Sequence, residues 1–380
     1  MLTFFACLAL LGWGYLALFH GAFWRPLLDD PVPEPAAWPS VDIIVPARNE
    51  ADVLPHALPS LLAQDYPGTW RVLLVDDHST DGTADVARRL GSANDAASRL
   101  HIVAAPALPE GWSGKVAAMQ AGVSQSASAY ILFTDADIQH GPHSLRRLMS
   151  RALAERCDLT SHMVKLRCVS VAEKLLIPAF VFFFAMLYPF RRAGHPASRV
   201  AAAAGGVMLA RRKALDNSGG LAAIKAALID DCSLARRIKD YGGDDGAGGR
   251  IRLTLTRDVH SLRAYPAVGD VWRMVARTAF TQLRHAAPLL LGTLAGMALL
   301  FVLPLLALLC GGFAATGMGL AAWAVMSFLY MPTIRFYGLP FVWALTLPFA
   351  ALIYGAATID SARQYWQGRG GQWKGRSQAP

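Results

Sequence analysis

The sequence is poor in charge and in paired cysteines, and each shortage excludes a class of protein. Only 17% of the 380 residues are charged, whereas 54% are hydrophobic and the mean hydropathy is +0.33. An ordinary water-soluble domain is less apolar than this. The five cysteines show no paired spacing, and Cys7 and Cys310 fall inside apolar runs. This pattern predicts reduced thiols and argues against a disulfide framework or a zinc site.

Two common nucleotide-binding motifs are also missing. No Gly-x-Gly-x-x-Gly follows the first predicted strand and no Gly-Lys-Ser/Thr loop occurs, so dinucleotide and P-loop interpretations lose their main support. The net charge of +9 would suggest a nucleic-acid partner if the basic residues formed one patch. They flank apolar runs instead, as is typical of the cytoplasmic side of membrane spans, and we expect no nucleic-acid partner.

Long apolar runs lie at both ends of the chain. Residues 2–24 contain no Asp, Glu, Lys or Arg, which is enough to cross a hydrocarbon layer of about 30 Å. The absence of a basic segment and of a small-x-small cleavage site before Arg25 favours a retained anchor over a signal peptide. Three further runs cover roughly 287–310, 313–331 and 339–357.

These runs predict six segments. The first three are an anchor at 1–24, a Pro-rich linker at 25–40 and a soluble domain at 41–265. They are followed by an amphipathic interfacial helix at 266–286, transmembrane helices at 287–357 and a basic tail at 358–380. We expect the Pro-rich linker to be semi-rigid and to hold the domain away from the membrane.

Four apolar segments of the soluble domain each end in a polar loop that precedes a helical pattern. They are Val41–Val45, Arg71–Val75, His101–Ala104 and Tyr130–Thr134. This repetition predicts parallel strands with right-handed crossovers. The fold class is therefore α/β with a mostly parallel sheet, and ligands are expected at the carboxyl ends of its strands.

The fourth strand ends directly on two carboxylates, Asp135 and Asp137. Carboxylate oxygens are suitable ligands for Mg²⁺ or Mn²⁺, and a magnesium site usually combines one or two of them with substrate phosphates. Acids that follow a strand are also common turn and helix-cap residues. The motif alone leaves both interpretations open.

The order of motifs resembles the family 2 glycosyltransferases of the GT-A fold. The chain reads Val-Pro-Ala-Arg-Asn-Glu, then Val-Asp-Asp-His-Ser-Thr-Asp-Gly-Thr, then Gly-Lys, then Asp-Ala-Asp, over about Val41 to Asp240. The resemblance implies a UDP-sugar donor and a divalent metal, Mg²⁺ or Mn²⁺, on Asp135 and Asp137. It also implies a nucleotide-sugar site made of Pro46, Ala47, Arg48, Glu50, Asp76, Asp77, Lys115 and Asp135.

Two later segments extend the resemblance. Asp230 and Asp231 lie at the start of a predicted helix, where the family carries Glu-Asp. The resemblance implies that the second acid, Asp231, is the general base. The alternative is structural, because the helix dipole favours acids at this position whatever their role. Thr281-Gln282-Leu283-Arg284-His285 matches the family's Gln/Arg-x-x-Arg-Trp at Arg284 alone, which the resemblance would place on the leaving diphosphate. A membrane-edge arginine is the alternative.

The uncharged, Phe-rich segment 175–190 is short for a membrane span. If it crossed the bilayer, Asp137 and Asp231 would lie on opposite sides, so we expect an interfacial hydrophobic helix, with a buried core helix as the alternative.

The whole arrangement resembles the bacterial hopanoid-associated glycosyltransferases, relatives of ceramide glucosyltransferase. This implies an inverting, metal-dependent enzyme of the bacterial inner membrane, with a cytoplasmic catalytic domain and a hopanoid or similar lipid as acceptor. Alternatives are a polyprenyl-phosphate glycosyltransferase, a processive polysaccharide synthase with a translocation channel, and a non-catalytic sugar-nucleotide sensor.

Overall fold

A computed structural model describes residues 1–93, 98–244, 247–369, 372–373 and 376–377. The basic tail predicted at 358–380 therefore lies partly outside the described residues. The strands are β1 Val41–Ala47, β2 Trp70–Asp76, β3 Leu100–Ala104, β4 Tyr130–Thr134, β5 Ile138–His140, β6 Leu159–Lys165, β7 Val207–Arg211, β8 Ile251–Ser261 and two short strands, β9 Gln372–Trp373 and β10 Arg376–Ser377.

The α-helices are α1 Leu2–Phe19, α2 Leu54–Leu62, α3 Thr83–Ala93, α4 Gly114–Ser124, α5 Ser144–Ala154, α6 Val171–Leu187, α7 Phe190–Ala193, α8 Arg212–Asn217, α9 Asp230–Tyr241, α10 Val268–Gln282, α11 Ala287–Met297, α12 Leu303–Cys310, α13 Phe313–Phe336 and α14 Leu347–Trp366. Short 3₁₀ helices lie at Leu221–Ile224 and Phe341–Thr346, and a π-helical turn at Ala298–Val302 joins α11 to α12.

Strands β1 to β8 form one mixed sheet in the order β3-β2-β1-β4-β7-β6-β8-β5. The four strands predicted from the sequence are its parallel half, since β1 pairs with β2 and β4, and β2 pairs with β3, all in parallel. Antiparallel pairing begins where β7 joins β4. Alternate residues of β1 belong to two different apolar cores, Ile43 to one and Ile44 to the other, because a parallel strand covered by helices is buried on both faces.

Within the part of the chain that the structure describes, four helical stretches are long and apolar enough to cross a membrane. They are Leu2–Phe19, Ala287–Cys310, Phe313–Phe336 and Phe341–Trp366. They match the four apolar runs found in the sequence. Together with α6 they enclose a third core, to which Met163 and Leu253 of the sheet also belong. The sheet domain and these helices therefore pack against each other directly.

The Pro-rich linker differs from the expected spacer. Leu28 forms a β-bridge with Leu255 of β8, and the Asp29 amide donates to the Leu255 carbonyl at 2.9 Å. The Asp29 carboxylate is buried and pairs with Arg151 Nε at 2.7 Å. Since these contacts fasten the linker to the domain, it does not hold the domain away from the membrane helices.

The Phe-rich segment forms most of α6, which begins with a capping box. Ser170 Oγ accepts from the Glu173 amide, and the Glu173 carboxylate accepts from the Ser170 amide. One side of α6 is buried among the membrane helices, where Tyr354 Oη of α14 donates to the Leu176 carbonyl at 3.0 Å. The position of α6 relative to a bilayer stays a prediction.

Candidate active site

One cavity of about 510 Å³ lies at the carboxyl ends of β1 and β4. Its two sides differ in chemistry. The polar side is lined by Pro46, Glu50, Lys115, Asp135, Asp137, Asp230, Asp231 and Arg263. The apolar side is lined by α6, α10 and the membrane helices, with Phe180, Phe183, Phe184, Met274, Met297, Phe301 and Tyr354 among its residues. The cavity thus joins charged groups at the sheet edge to an apolar space between helices.

Lys115, in the first turn of α4, links the two pairs of acids. Its Nζ lies 2.9 Å from Asp135 Oδ1 and 3.2 Å from Asp230 Oδ2. Burial opposes its charge, but the carboxylates of Asp135 and Asp230 outweigh that effect and raise the pKa of Lys115. The ammonium group is therefore a fixed positive charge at the centre of the site.

Asp231 lies in the first turn of α9 beside the Ala204–Gly206 segment. Its Oδ2 accepts from the Gly205 amide at 2.9 Å, and its Oδ1 accepts from the Cys232 amide at 2.7 Å. A side chain at Gly205 would have its Cβ 3.3 Å from Lys115 Nζ and 3.4 Å from Asp231 Oδ2, so the glycine lets the two groups approach the backbone.

The pKa of Asp231 is raised to about 6, first by burial and then by the charge of Asp230, against the opposing effect of Lys115. A carboxylate in this condition is basic enough to accept a proton and is still largely ionised near neutral pH. This is the chemical requirement for a general base.

Arg263 completes the polar side from the loop after β8. Its Nε donates to Asp137 Oδ2 at 2.8 Å, and its Nη2 lies 3.8 Å from Glu50 Oε1. Burial and the charge of Asp135 raise the pKa of Asp137 despite this guanidinium. The sequence analysis assigned Arg263 no role in the site, because no local signal connects it to an acid 126 residues earlier.

The first two loops are joined to each other at the edge of the cavity. Arg48 Nη1 donates to the Asp77 carbonyl at 2.6 Å, and the Asp77 amide donates to the Ala47 carbonyl at 2.8 Å. Asp76 Oδ1 accepts from the Ser79 amide at 3.3 Å. Among the described residues that line the cavity, these loops contribute Pro46 and Glu50, so Ala47, Arg48, Asp76 and Asp77 lie beside it rather than in its wall.

Arg284 is separated from the other predicted residues. It follows the end of α10 with a left-handed φ of 53°, and its amide donates to the Thr281 carbonyl at 2.9 Å. Gln282 and Leu283 line the cavity, but Arg284 is not among its described lining residues. Arg277, one turn earlier than Thr281, does line it.

The donor atoms of the polar side fit a hard divalent cation that shares its ligands with a substrate. Asp135 and Asp137 offer carboxylate oxygens, but the described residues contain no group of three or more His, Cys, Asp or Glu side chains able to hold a metal alone. Mg²⁺ and Mn²⁺ commonly take one or two carboxylates and complete their shell with phosphate oxygens and water. The residues therefore suit a metal that arrives with a diphosphate.

The mixed α/β sheet with an acidic cavity at the ends of its parallel strands has the GT-A fold. Residues 42–219, somewhat less than half of the chain, match the family model described as glycosyl transferase family 2.

Several curated relatives are similar to part of the chain. The 4,4'-diaponeurosporenoate glycosyltransferase of Staphylococcus haemolyticus is 34% identical over 111 residues, which are 29% of this chain and 28% of that protein. The undecaprenyl-phosphate 4-deoxy-4-formamido-L-arabinose transferase of Salmonella paratyphi A is 30% identical over 114 residues, 30% of this chain and 33% of that protein. The chain spans between 24% and 55% of the curated relatives it matches.

A solved structure is similar over nearly the whole chain. The mannosyltransferase PcManGT of Pyrobaculum calidifontis, in complex with GDP-Man and Mn²⁺, covers 97% of this chain and 99% of its own, with a TM-score of 0.56 and 20% identity. At this identity the likeness establishes the shared fold.

Proposed function

We propose that this protein is a membrane-bound, inverting glycosyltransferase that moves a sugar from a UDP-sugar to a lipid acceptor, a hopanoid or a similar lipid. The observation that carries the proposal is the two-sided cavity, in which Asp231 and Lys115 share one space with Phe183 and Tyr354. A sugar nucleotide suits the charged side and an apolar lipid suits the other. A single cavity of about 510 Å³ brings the two reactants together.

On the donor side, the joined loops that contain Arg48 and Asp77 would hold the uridine, as the family resemblance suggests. Glu50 and Asp76 belong to the same pair of loops and support the same role. Lys115 would approach the phosphates, because it is the fixed positive charge nearest Asp135. Arg263 adds a second cation next to Asp137 and takes the place on the leaving diphosphate that was expected for Arg284.

Asp135 and Asp137 would hold Mg²⁺ or Mn²⁺ together with the donor diphosphate. The cation would neutralise the charge that develops on the departing UDP. Its use by this chain is also supported by PcManGT, whose structure contains Mn²⁺ and GDP-Man on the same fold.

Asp231 would be the general base and Asp230 its neighbour that maintains its basicity. In the transfer step, Asp231 takes the proton of the acceptor hydroxyl while that oxygen forms a bond to the anomeric carbon. The bond from that carbon to the diphosphate breaks, and UDP leaves with the electron pair. Attack from the face opposite the leaving group inverts the anomeric configuration.

The surroundings of the apolar side support a membrane acceptor. Helices α6 and α10 line it together with residues of α11 and α14, which belong to candidate membrane helices. We place the enzyme in the bacterial inner membrane with the catalytic domain in the cytoplasm, where UDP-sugars are made. A polyprenyl phosphate is the second candidate acceptor, because a relative 30% identical to part of the chain is named for undecaprenyl phosphate.

The test is a transfer assay with the purified full-length protein in lipid nanodiscs. UDP-sugars are offered in turn with a hopanoid alcohol, a ceramide and a polyprenyl phosphate. We expect UDP to be released only when the lipid alcohol is present. The second product should be a glycolipid whose anomeric configuration is inverted relative to that of the donor. Transfer to polyprenyl phosphate alone would select the second candidate, and UDP release without dependence on any lipid would refute a lipid acceptor.

A further inference from the structure

Three aromatic rings that contact one another line the apolar side of the cavity, and we call them the aromatic wall: Phe183 of α6, Phe301 of the π-helical turn and Tyr354 of α14. The Phe183 ring lies 5.4 Å from that of Phe301 and 5.2 Å from that of Tyr354, both edge to face. Phe301 is 1% exposed. These three rings meet from three separate elements to form one continuous surface.

A second layer lies behind the wall. The ring of Trp13, in α1, contacts Phe301 at 5.3 Å and is itself fully buried. The Trp13 indole Nε1 donates to the Leu300 carbonyl at 2.8 Å. Gly12 permits this close approach, because a Cβ there would lie 2.6 Å from Leu300 Cδ2. The wall is therefore two aromatic layers thick on the side of α1.

The wall is also fixed in position. A π-helical turn directs its side chains differently from an α-helix and commonly occurs at functional sites. Here the Leu303 amide donates to the Ala298 carbonyl, which closes the wide turn that presents Phe301. Tyr354 is held from the other side by its bond to the Leu176 carbonyl. An acceptor cannot displace the Tyr354 ring without breaking this hydrogen bond inside an apolar bundle, where unpaired polar groups are costly. The Phe301 ring is held by its packing between Phe183 and Trp13.

We propose that the aromatic wall sets the length of lipid that the enzyme accepts. This inference rests on the proposed function. The reacting hydroxyl must reach Asp231 on the polar side, so the apolar body of the acceptor occupies the space between Asp231 and the wall. A compact, ring-built alcohol fills that space, whereas added length opposite the hydroxyl collides with Phe301 and Tyr354.

The test uses rigid, ring-fused alcohols that differ only in an alkyl tail opposite the hydroxyl, from methyl to octyl. Phe301→Leu shortens the wall while keeping the site apolar. The matched control is Phe280→Leu: Phe280 is equally buried, but its ring packs on His285, Tyr365 and Trp366, and it is not among the described residues that line the cavity. Both the kcat/KM for transfer and the thermal stabilisation of the protein by each alcohol are measured.

We expect Phe301→Leu to raise the ratio of long-tailed to short-tailed kcat/KM roughly tenfold, since one methylene group in an apolar pocket changes it by about 10–200-fold. The Phe280→Leu ratio should equal that of the wild type even if its overall activity falls. An unchanged ratio in Phe301→Leu, or the same shift in both variants, would overturn the proposal. If the wild type transfers sugar to none of the alcohols, the proposed function fails, and the ratios of thermal stabilisation still decide whether the wall limits length.

Discussion

Replacing Asp231 by Asn removes basicity from the site and keeps its shape. A positioned base contributes about 10²–10⁴-fold to turnover, and we expect a loss of that size at pH 7. Because the pKa of Asp231 is raised to about 6, wild-type kcat/KM should rise about tenfold per pH unit below that value and level off above it. Asp231→Asn should lack this acidic limb.

The structure also predicts a side effect that the assay must separate. The carboxylate of Asp231 accepts from two backbone amides, those of Gly205 and Cys232. An asparagine has one carbonyl oxygen, so one amide loses its acceptor, at a cost of about 1–3 kcal/mol. Thermal unfolding and calorimetry of UDP binding therefore accompany the rate measurements, and UDP affinity should change little.

Asp230→Asn is the matched control. The charge of Asp230 raises the pKa of Asp231, so its removal should move the acidic limb to lower pH without abolishing it. An Asp231→Asn enzyme that retains more than about a tenth of wild-type turnover, or that keeps a limb near pH 6, would refute the assignment. Loss of UDP binding together with activity would instead assign Asp231 to the donor site or to the fold.

Three further outcomes follow from the same contacts. Chelation should abolish transfer and Mn²⁺ or Mg²⁺ should restore it; full activity of Asp137→Ala in excess chelator would exclude a metal role. Arg263→Gln should weaken UDP binding, measured by calorimetry, by about 10–100-fold, as expected for a lost charged hydrogen bond. The control is Arg273→Gln, which changes an exposed arginine paired with Asp270 and should leave the UDP affinity unchanged. Glu173→Gln should lower the unfolding temperature at pH 7 but not near pH 2; an equal loss at both would contradict the role of its charge.

The direction of the pH dependence predicted for Glu173→Gln follows from the contacts of the Glu173 carboxylate. Burial alone would raise its pKa, but the amides of Tyr265, Ser170 and Val169 and the Arg167 guanidinium lower it to about 2. A carboxylate with a lowered pKa stabilises the folded state above its unfolded pKa, and this contribution is lost as the pH falls from about 4.5 to 2.

The parallel half of the sheet was predictable because its signals are local. Each strand from Val41 to Thr134 is a mostly apolar segment of five to seven residues that precedes a turn and a helical pattern, and neighbouring segments of this kind pair in parallel. Asp135, Lys115 and Asp231 could be expected in one place because each stands at a strand end or a helix start at that edge.

The remaining contacts depend on long-range packing that a single sequence does not encode locally. Arg263 meets Asp137 only because β8 returns antiparallel to β5 and delivers the following loop to the site. The resemblance to the family motif favoured Arg284 instead, because a motif is matched by spacing along the sequence and carries no information on distance in space. The prediction that the linker acts as a spacer failed for the same reason. Its prolines indicate local stiffness, but they do not predict the β-bridge between Leu28 and Leu255.

The aromatic wall has a consequence for biosynthesis, because the wall and the Trp13 ring behind it come from segments far apart in the chain. Trp13 is translated before the sheet domain, whereas Tyr354 is translated after it. The sugar-nucleotide half can fold once the sheet is complete at Ser261, but the lipid half has no closed end until α14 inserts. If the proposed function is right, a nascent chain stalled before Leu347 should bind UDP but should not yet discriminate between lipid acceptors, because Tyr354 of α14 is still missing from the cavity.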